Sequence, residues 1–141
     1  MAHDNLPPRF SIGPLHAILL CFPVALYPSA LLSDIAYLNT QVIQWTNFAQ
    51  WLIAGADVFA GLVVAWATFS FFRGRDRQRL RYLVAVMTMF VAGVINAFQH
   101  SKDGWHSVGT VGIVLSIACT VLALLAALIA YGRPFMARQG A

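Results

Sequence analysis

Five arginines in nine positions, Arg73, Arg75, Arg77, Arg79 and Arg81, interrupt a chain that is almost wholly apolar on both sides of them. Such a block cannot lie in hydrocarbon, where one arginine at the centre of a span costs about 2.5–3.5 kcal/mol on insertion scales. It has to face water, so the sequence expects a surface loop over Phe71 to Arg81 with an apolar hairpin on each side. Cytoplasmic loops collect Lys and Arg, which makes the same block the reference for the direction of every other segment.

With 60% hydrophobic and 10% charged residues in 141, and a mean hydropathy of +0.71, there is too little polar surface to cover a soluble globule. The composition implies one integral membrane domain. The net charge of +4 does not point to nucleic acid, because the cations flank apolar spans and form no stripe among exposed aromatics; anionic lipid headgroups account for them. Cys21 and Cys119 both fall in apolar stretches, which reads as core packing and not as a disulfide or metal pair.

An all-α bundle of four transmembrane helices follows, over about residues 13–32, 47–72, 80–99 and 107–131. The membrane domain is then 13–131, between an N-terminal cytoplasmic arm of 1–12 and a cytoplasmic tail of 132–141. The first apolar run lacks the small-x-small pattern of a cleaved signal peptide and reads as a retained helix, bent by Pro23 and Pro28. Residues 33–46 contain no Lys or Arg and read as an outer connection. Arg9, the five loop arginines, Arg133 and Arg138 then lie on one side and only Lys102 on the other. That asymmetry sets both termini inside, with Trp45, Trp51 and Trp105 in an outer aromatic belt.

Few residues could carry chemistry. His16 lies near the inner start of the first helix, whereas His100 and His106 bracket the outer turn His100-Ser101-Lys102-Asp103-Gly104-Trp105-His106. Two histidines from different helices are a common haem b ligand set, but His16 is separated from the other two by most of the roughly 30 Å of hydrocarbon. His100, His106 and Asp103 could share a metal, contact another protein or form a solvated turn. Asp57 sits deep in the second span, where a carboxyl group needs a partner or a proton. It shares a helix face with Gln50, Ala54, Gly61, Ala65 and Thr68, and Asn96 and Thr120 are its candidate partners. Small residues four apart, Gly61 and Ala65, Gly93 and Ala97, Ala123 and Ala127, allow close helix approach.

Leu15-His16 with Phe22-Pro23, Asp34-Ile35-Ala36-Tyr37, Trp45, Asn47-Phe48, Trp51-Leu52, Asn96-Ala97-Phe98 and the turn from His100 to Trp105 together resemble the bacterial inner-membrane family known as domain of unknown function 2231. The resemblance covers about residues 15–131. It implies a four-helix bundle without an assigned activity, in electron-transfer surroundings and with haem among its associations. Relatives carry a His-Pro pair in the first helix and a histidine near the start of the third. Here His16 is followed by Ala17, the third-helix position falls at Tyr82 or a neighbour, and the ending Tyr131-Gly132-Arg133-Pro134 also differs. By that resemblance this chain lacks one haem ligand and keeps the scaffold.

The resulting expectation is a small non-catalytic accessory subunit of a larger respiratory or photosynthetic electron-transfer complex in the bacterial inner membrane. Asp34, Tyr37, Trp45, His100, Asp103, Trp105 and His106 would contact its partner, and Arg73, Arg75, Arg77, Arg79 and Arg81 would meet lipid headgroups. Asp57 and Asn96 would be buried polar groups, with no cofactor bound. Two alternatives stand beside it: a haem b electron-transfer protein using His16, His100 and His106, and a small proton-linked carrier acting through Asp57.

Overall fold

The computed structural model describes residues 13–102 and 108–132. These form four helices, α1 (Pro14–Thr40), α2 (Gln44–Arg73), α3 (Arg77–His100) and α4 (Thr110–Tyr131), each long and apolar enough to cross a membrane. Each helix packs on its neighbours in sequence, and α4 closes back on α1, so the four form a ring. The Arg-rich turn lies at one end, here the Arg-loop end. The α1–α2 turn lies at the other, the far end.

Each helix turns one narrow seam inward. The buried residues of α1 include His16, Leu20, Pro23, Tyr27, Ala30, Asp34 and Tyr37; those of α2 are Thr46, Ala49, Ile53, Ala56, Ala60, Val63 and Ala67. In α3 they are Tyr82, Val86, Met89, Gly93, Asn96 and His100, and in α4 Gly112, Ser116, Cys119, Ala123 and Ala126. Alternating steps of three and four are the knobs-into-holes spacing of helices packed nearly parallel to one another. Large apolar residues outside the seams, such as Trp51, Phe98 and Phe72, are exposed, as a lipid-facing surface requires.

Two connections are shorter than in the sequence reading. Residues 33–40 belong to α1, and the far-end connection is only residues 41–43. The left-handed backbone of Gln41 (φ 56°) ends the helix, its N–H bonding to Tyr37 O at 2.7 Å, so the chain reverses in three residues. Polar residues in the last turns had suggested a loop, but Asn39 and Thr40 return their side chains to carbonyls four residues back. The Arg-rich loop likewise shrinks to residues 74–76, because Phe71 to Arg73 end α2 and Arg77 begins α3. Finally, α1 runs unbroken through Pro23 and Pro28.

The turn at the Arg-loop end is tied by Arg79. Asp76 caps α3 by accepting from Arg79 N at 2.8 Å and also pairs with Arg79 Nε, while Arg79 Nη1 donates to Ser70 O in the last turn of α2 at 2.8 Å. A Cβ on Gly74 would meet this guanidinium, the mobile end of a long side chain. Arg79 therefore holds the hairpin, and differs from the exposed Arg73, Arg75, Arg77 and Arg81.

The seam of α2 is not the Gly61 and Ala65 face anticipated from small-residue spacing. Ala65 and Ala54 are exposed, and Ala49, Ala56, Ala60 and Ala67 make the close contacts. In lipid both faces of a helix are apolar, so a pair of small residues does not by itself mark which face packs.

Candidate functional site

The seams carry polar groups at three levels. At the Arg-loop end, His16 Nε2 of α1 lies 2.8 Å from Tyr82 Oη of α3, across the diagonal of the ring. Both residues are 1% exposed, and Trp66 tilts against the imidazole at 6.1 Å between ring centroids. His16 Nδ1 has no partner among the described residues.

At mid-bundle the Tyr27 hydroxyl of α1 donates to Asp57 Oδ1 of α2 at 2.6 Å. Gly93 of α3 lies directly against this pair, and a Cβ there would collide with both Asp57 Oδ1 and Tyr27 Oη. Glycine is needed here for space, on a helix of ordinary conformation. Asp57 thus points into a small-residue interface as expected, but its partner is Tyr27 and not Asn96 or Thr120. Thr120 bonds its own helix at Ser116 O.

The far end holds the largest network. Asp34 of α1, fully buried, accepts from Ser116 Oγ of α4 through Oδ2 at 2.5 Å and meets His100 Nε2 of α3 through Oδ1 at 2.9 Å. His100 Nδ1 lies 3.0 Å from Asn96 O, and Asn96 Nδ2 donates to Ser116 Oγ at 3.1 Å. A carbonyl oxygen can only accept, so Nδ1 carries a hydrogen. The remaining contact, Nε2 to Oδ1, then needs one proton, held either as imidazolium and carboxylate or as imidazole and carboxylic acid. Burial makes an unpaired charge here expensive, and either arrangement keeps the two groups paired.

Cys119 of α4 is also fully buried, between Ser116 and Ala123 of the same seam. From His100 inward the hydrogen-bonded series runs through Asp34 and Ser116 to Asn96, whose Oδ1 has no partner among the described residues, and Asp57 and Tyr27 form a separate pair deeper in the bundle. Towards the Arg-loop end the series stops. Leu20, Val63, Val86 and Met89, each at most 1% exposed, fill the seams up to His16 and Tyr82. From Gly93 to Tyr82 is eleven residues of α3, about 16 Å at 1.5 Å per residue.

Several expected roles change with these positions. Asp34 and Tyr37 are buried, at 0% and 3% exposure, and do not form a partner surface; the extra helical turns of α1 carry them inward. His100, expected in an outer turn, is the last residue of α3 and only 4% exposed. Trp45 remains exposed. Asp103, Trp105 and His106 lie outside the described residues.

His16 and His100 are at opposite ends of the bundle, and their engaged nitrogens do not fit a shared haem. His16 Nε2 is held by Tyr82, and both His100 nitrogens face acceptors. Among the described residues no group of three His, Cys, Asp or Glu side chains is placed to hold a metal.

Tyr27 and Ser116 are the site residues that reading by segment missed, and Asp34 was expected at a partner surface. Their signal was spacing: His16, Tyr27 and Asp34 on α1, and Asn96 and His100 on α3, occupy single seams of mixed threes and fours. Residues on which the family resemblance rests, His16, Asp34, Asn96 and His100, are among those the fold gathers inside. No curated protein and no solved structure matches the chain. The family model described as predicted membrane protein (DUF2231) matches residues 13–140, and the chain belongs to that family.

Proposed function

We propose that this chain is a proton-handling membrane bundle, in which the far-end network takes up a proton and communicates with Asp57 at mid-membrane. The observation that supports this reading is the hydrogen-bonded network of His100, Asp34, Ser116 and Asn96 at the far end, with the Asp57–Tyr27 pair next to it towards mid-bundle. Ionisable groups inside a membrane bundle are rare, costly and characteristic of proton relays. Here two carboxyl groups and an imidazole share one interior, whereas Leu20, Val63, Val86 and Met89 separate them from the Arg-loop end. An apolar layer towards the Arg-loop end suits a group that exchanges protons with the far side alone.

The setting we propose is an accessory subunit of a larger electron-transfer complex in the bacterial inner membrane, both termini inside, without catalysis of its own. Family resemblance and the concentration of arginines at one end support this setting. In such a complex a one-sided proton-loading group would serve charge balance as electrons move.

The experiment is proton flux into liposomes containing the purified chain and a pH-sensitive dye, started by a pH step with the membrane potential clamped. A flux no greater than that of empty liposomes is the expected result, because the apolar layer closes the route to the Arg-loop end; a larger flux, abolished by Asp57→Asn and by Asp34→Asn, would overturn one-sided loading. Infrared spectroscopy of the same samples should show a carboxylic-acid carbonyl band that responds to pH and changes in each variant. Absence of any pH-dependent carboxyl band would remove the proton reading. Isolation in mild detergent, with subunit mass spectrometry and a visible spectrum, tests the setting separately: stoichiometric co-purification with redox subunits supports it, and a homo-oligomer carrying its own haem overturns it.

A further inference from the structure

Arg77 and Arg81 stand apart from the other arginines of the turn. Together with Leu80, Val84 and Ala85 of α3 and Ile129 of α4 they border an open groove of about 800 Å³ at the Arg-loop end. The two guanidinium groups are four residues apart, so they rise from one helix face a single turn from each other. Neither forms a hydrogen bond or an ion pair with a described residue. The nearby acid, Asp76, is taken up by Arg79 through its cap and its ion pair. Both arginines lie in the first turns of α3, where free N–H groups add to the positive potential.

Beneath the arginines the groove continues as apolar wall, with Leu80, Val84 and Ile129 following down the helices towards the membrane interior. Cations at the depth of the interface above an apolar channel match a ligand with an anionic head and a hydrocarbon chain. Ile129 lies two residues before the end of α4 at Tyr131, and the sequence beyond α4, residues 133–141, carries Arg133 and Arg138 and no acidic side chain. Its charge opposes occupancy of the same groove. We infer that this groove is a binding site for one anionic phospholipid, its phosphate between Arg77 and Arg81 and one acyl chain along Leu80, Val84 and Ile129.

Native mass spectrometry of the full chain released from mild detergent tests this, with phosphatidylglycerol and phosphatidylcholine of matched chains as probes. Phosphatidylglycerol should bind about tenfold or more tightly than phosphatidylcholine, as expected for two interfacial cations. Arg77→Gln/Arg81→Gln should abolish the preference, whereas Arg73→Gln/Arg75→Gln, which removes the same charge, should retain it. Val84→Trp, which fills the groove and keeps both arginines, should lose the bound lipid. Equal losses in the two arginine pairs would show diffuse attraction and overturn the site, as would lipid binding unchanged by Val84→Trp. Displacement of the lipid by inorganic phosphate alone would reduce the site to an anion contact and overturn the acyl-chain assignment. Binding that appears only after deletion of residues 133–141 would make the tail the native occupant. None of these outcomes depends on proton movement in the interior.

Discussion

The two ends of the bundle bridge the same diagonal, α1 to α3, with different chemistry. At the Arg-loop end the bridge is a single contact between two side chains, His16 and Tyr82. At the far end it is a network in which one carboxyl group serves two helices at once, His100 of α3 and Ser116 of α4. A single contact can be lost without stranding anything charged. A shared carboxyl cannot, since every group that faces it was buried on the condition that it be there. The difference separates an end joined by one neutral contact from an end joined by a carboxyl group that three helices share.

The largest effect should therefore come from Asp34→Ala. It leaves His100 Nε2 and Ser116 Oγ without their acceptor in a dry interior, and should destabilise the bundle by about 3 kcal/mol or more. Unfolding in mixed micelles followed by circular dichroism measures it; a loss no greater than that of an exposed control such as Arg75→Gln would erase the contrast between the ends. The same measurement on His100→Ala and on the double variant gives a coupling energy. We expect at least about 1 kcal/mol between Asp34 and His100, because residues in one network are not additive. A coupling near zero would mean that each group is satisfied independently, and the proton between them would go with it.

Gly93→Ala probes the boundary between the two regimes. The new methyl group must push Asp57 away from Tyr27, combining overpacking with a broken hydrogen bond, for about 2–3 kcal/mol. Asp57→Asn in the Gly93→Ala background should then add little, since the pair is already parted. Full additivity would show that the carboxyl group re-forms its bond after the helices shift.

How much of this was legible follows from what lipid does to a pattern. Four spans could be read because each run is long enough and the arginines cannot enter hydrocarbon. The seams were hidden, because in water apolar residues mark the buried face, whereas here apolar residues such as Trp51 and Phe98 face outward as well. In α1 and α3 the histidine, aspartate and tyrosine residues mark the inside, and His16, Tyr27, Asp34, Tyr82, Asn96 and His100 all obey one spacing. Asp34 was misplaced for a related reason. A carboxyl group two residues past an apolar run looks like the start of a loop until a partner is known, and its partner, His100, is sixty-six residues away. Tyr82 was noticed only as a departure from the histidine of relatives, yet it is the residue that meets His16.

The smallest effect, and the sharpest test of the contrast, is Tyr82→Phe. The ring keeps its place against His16 and only the hydroxyl is lost, so the change should cost about 0.6 kcal/mol, the average for hydrogen bonds between membrane helices. His16 Nε2 would then join Nδ1 in lacking a described partner. A neutral imidazole tolerates this better than a carboxyl group would, because no charge is left uncovered. Trp66, beside His16, provides a local fluorescence probe in a variant whose other tryptophans are replaced. Tyr82→Phe should alter this signal and leave the proton-sensitive carboxyl band unchanged. If the substitution instead destabilised the bundle as much as Asp34→Ala, or shifted that band, the apolar layer of Leu20, Val63, Val86 and Met89 would not insulate the two ends. His16 would then have to be counted as a member of the proton series.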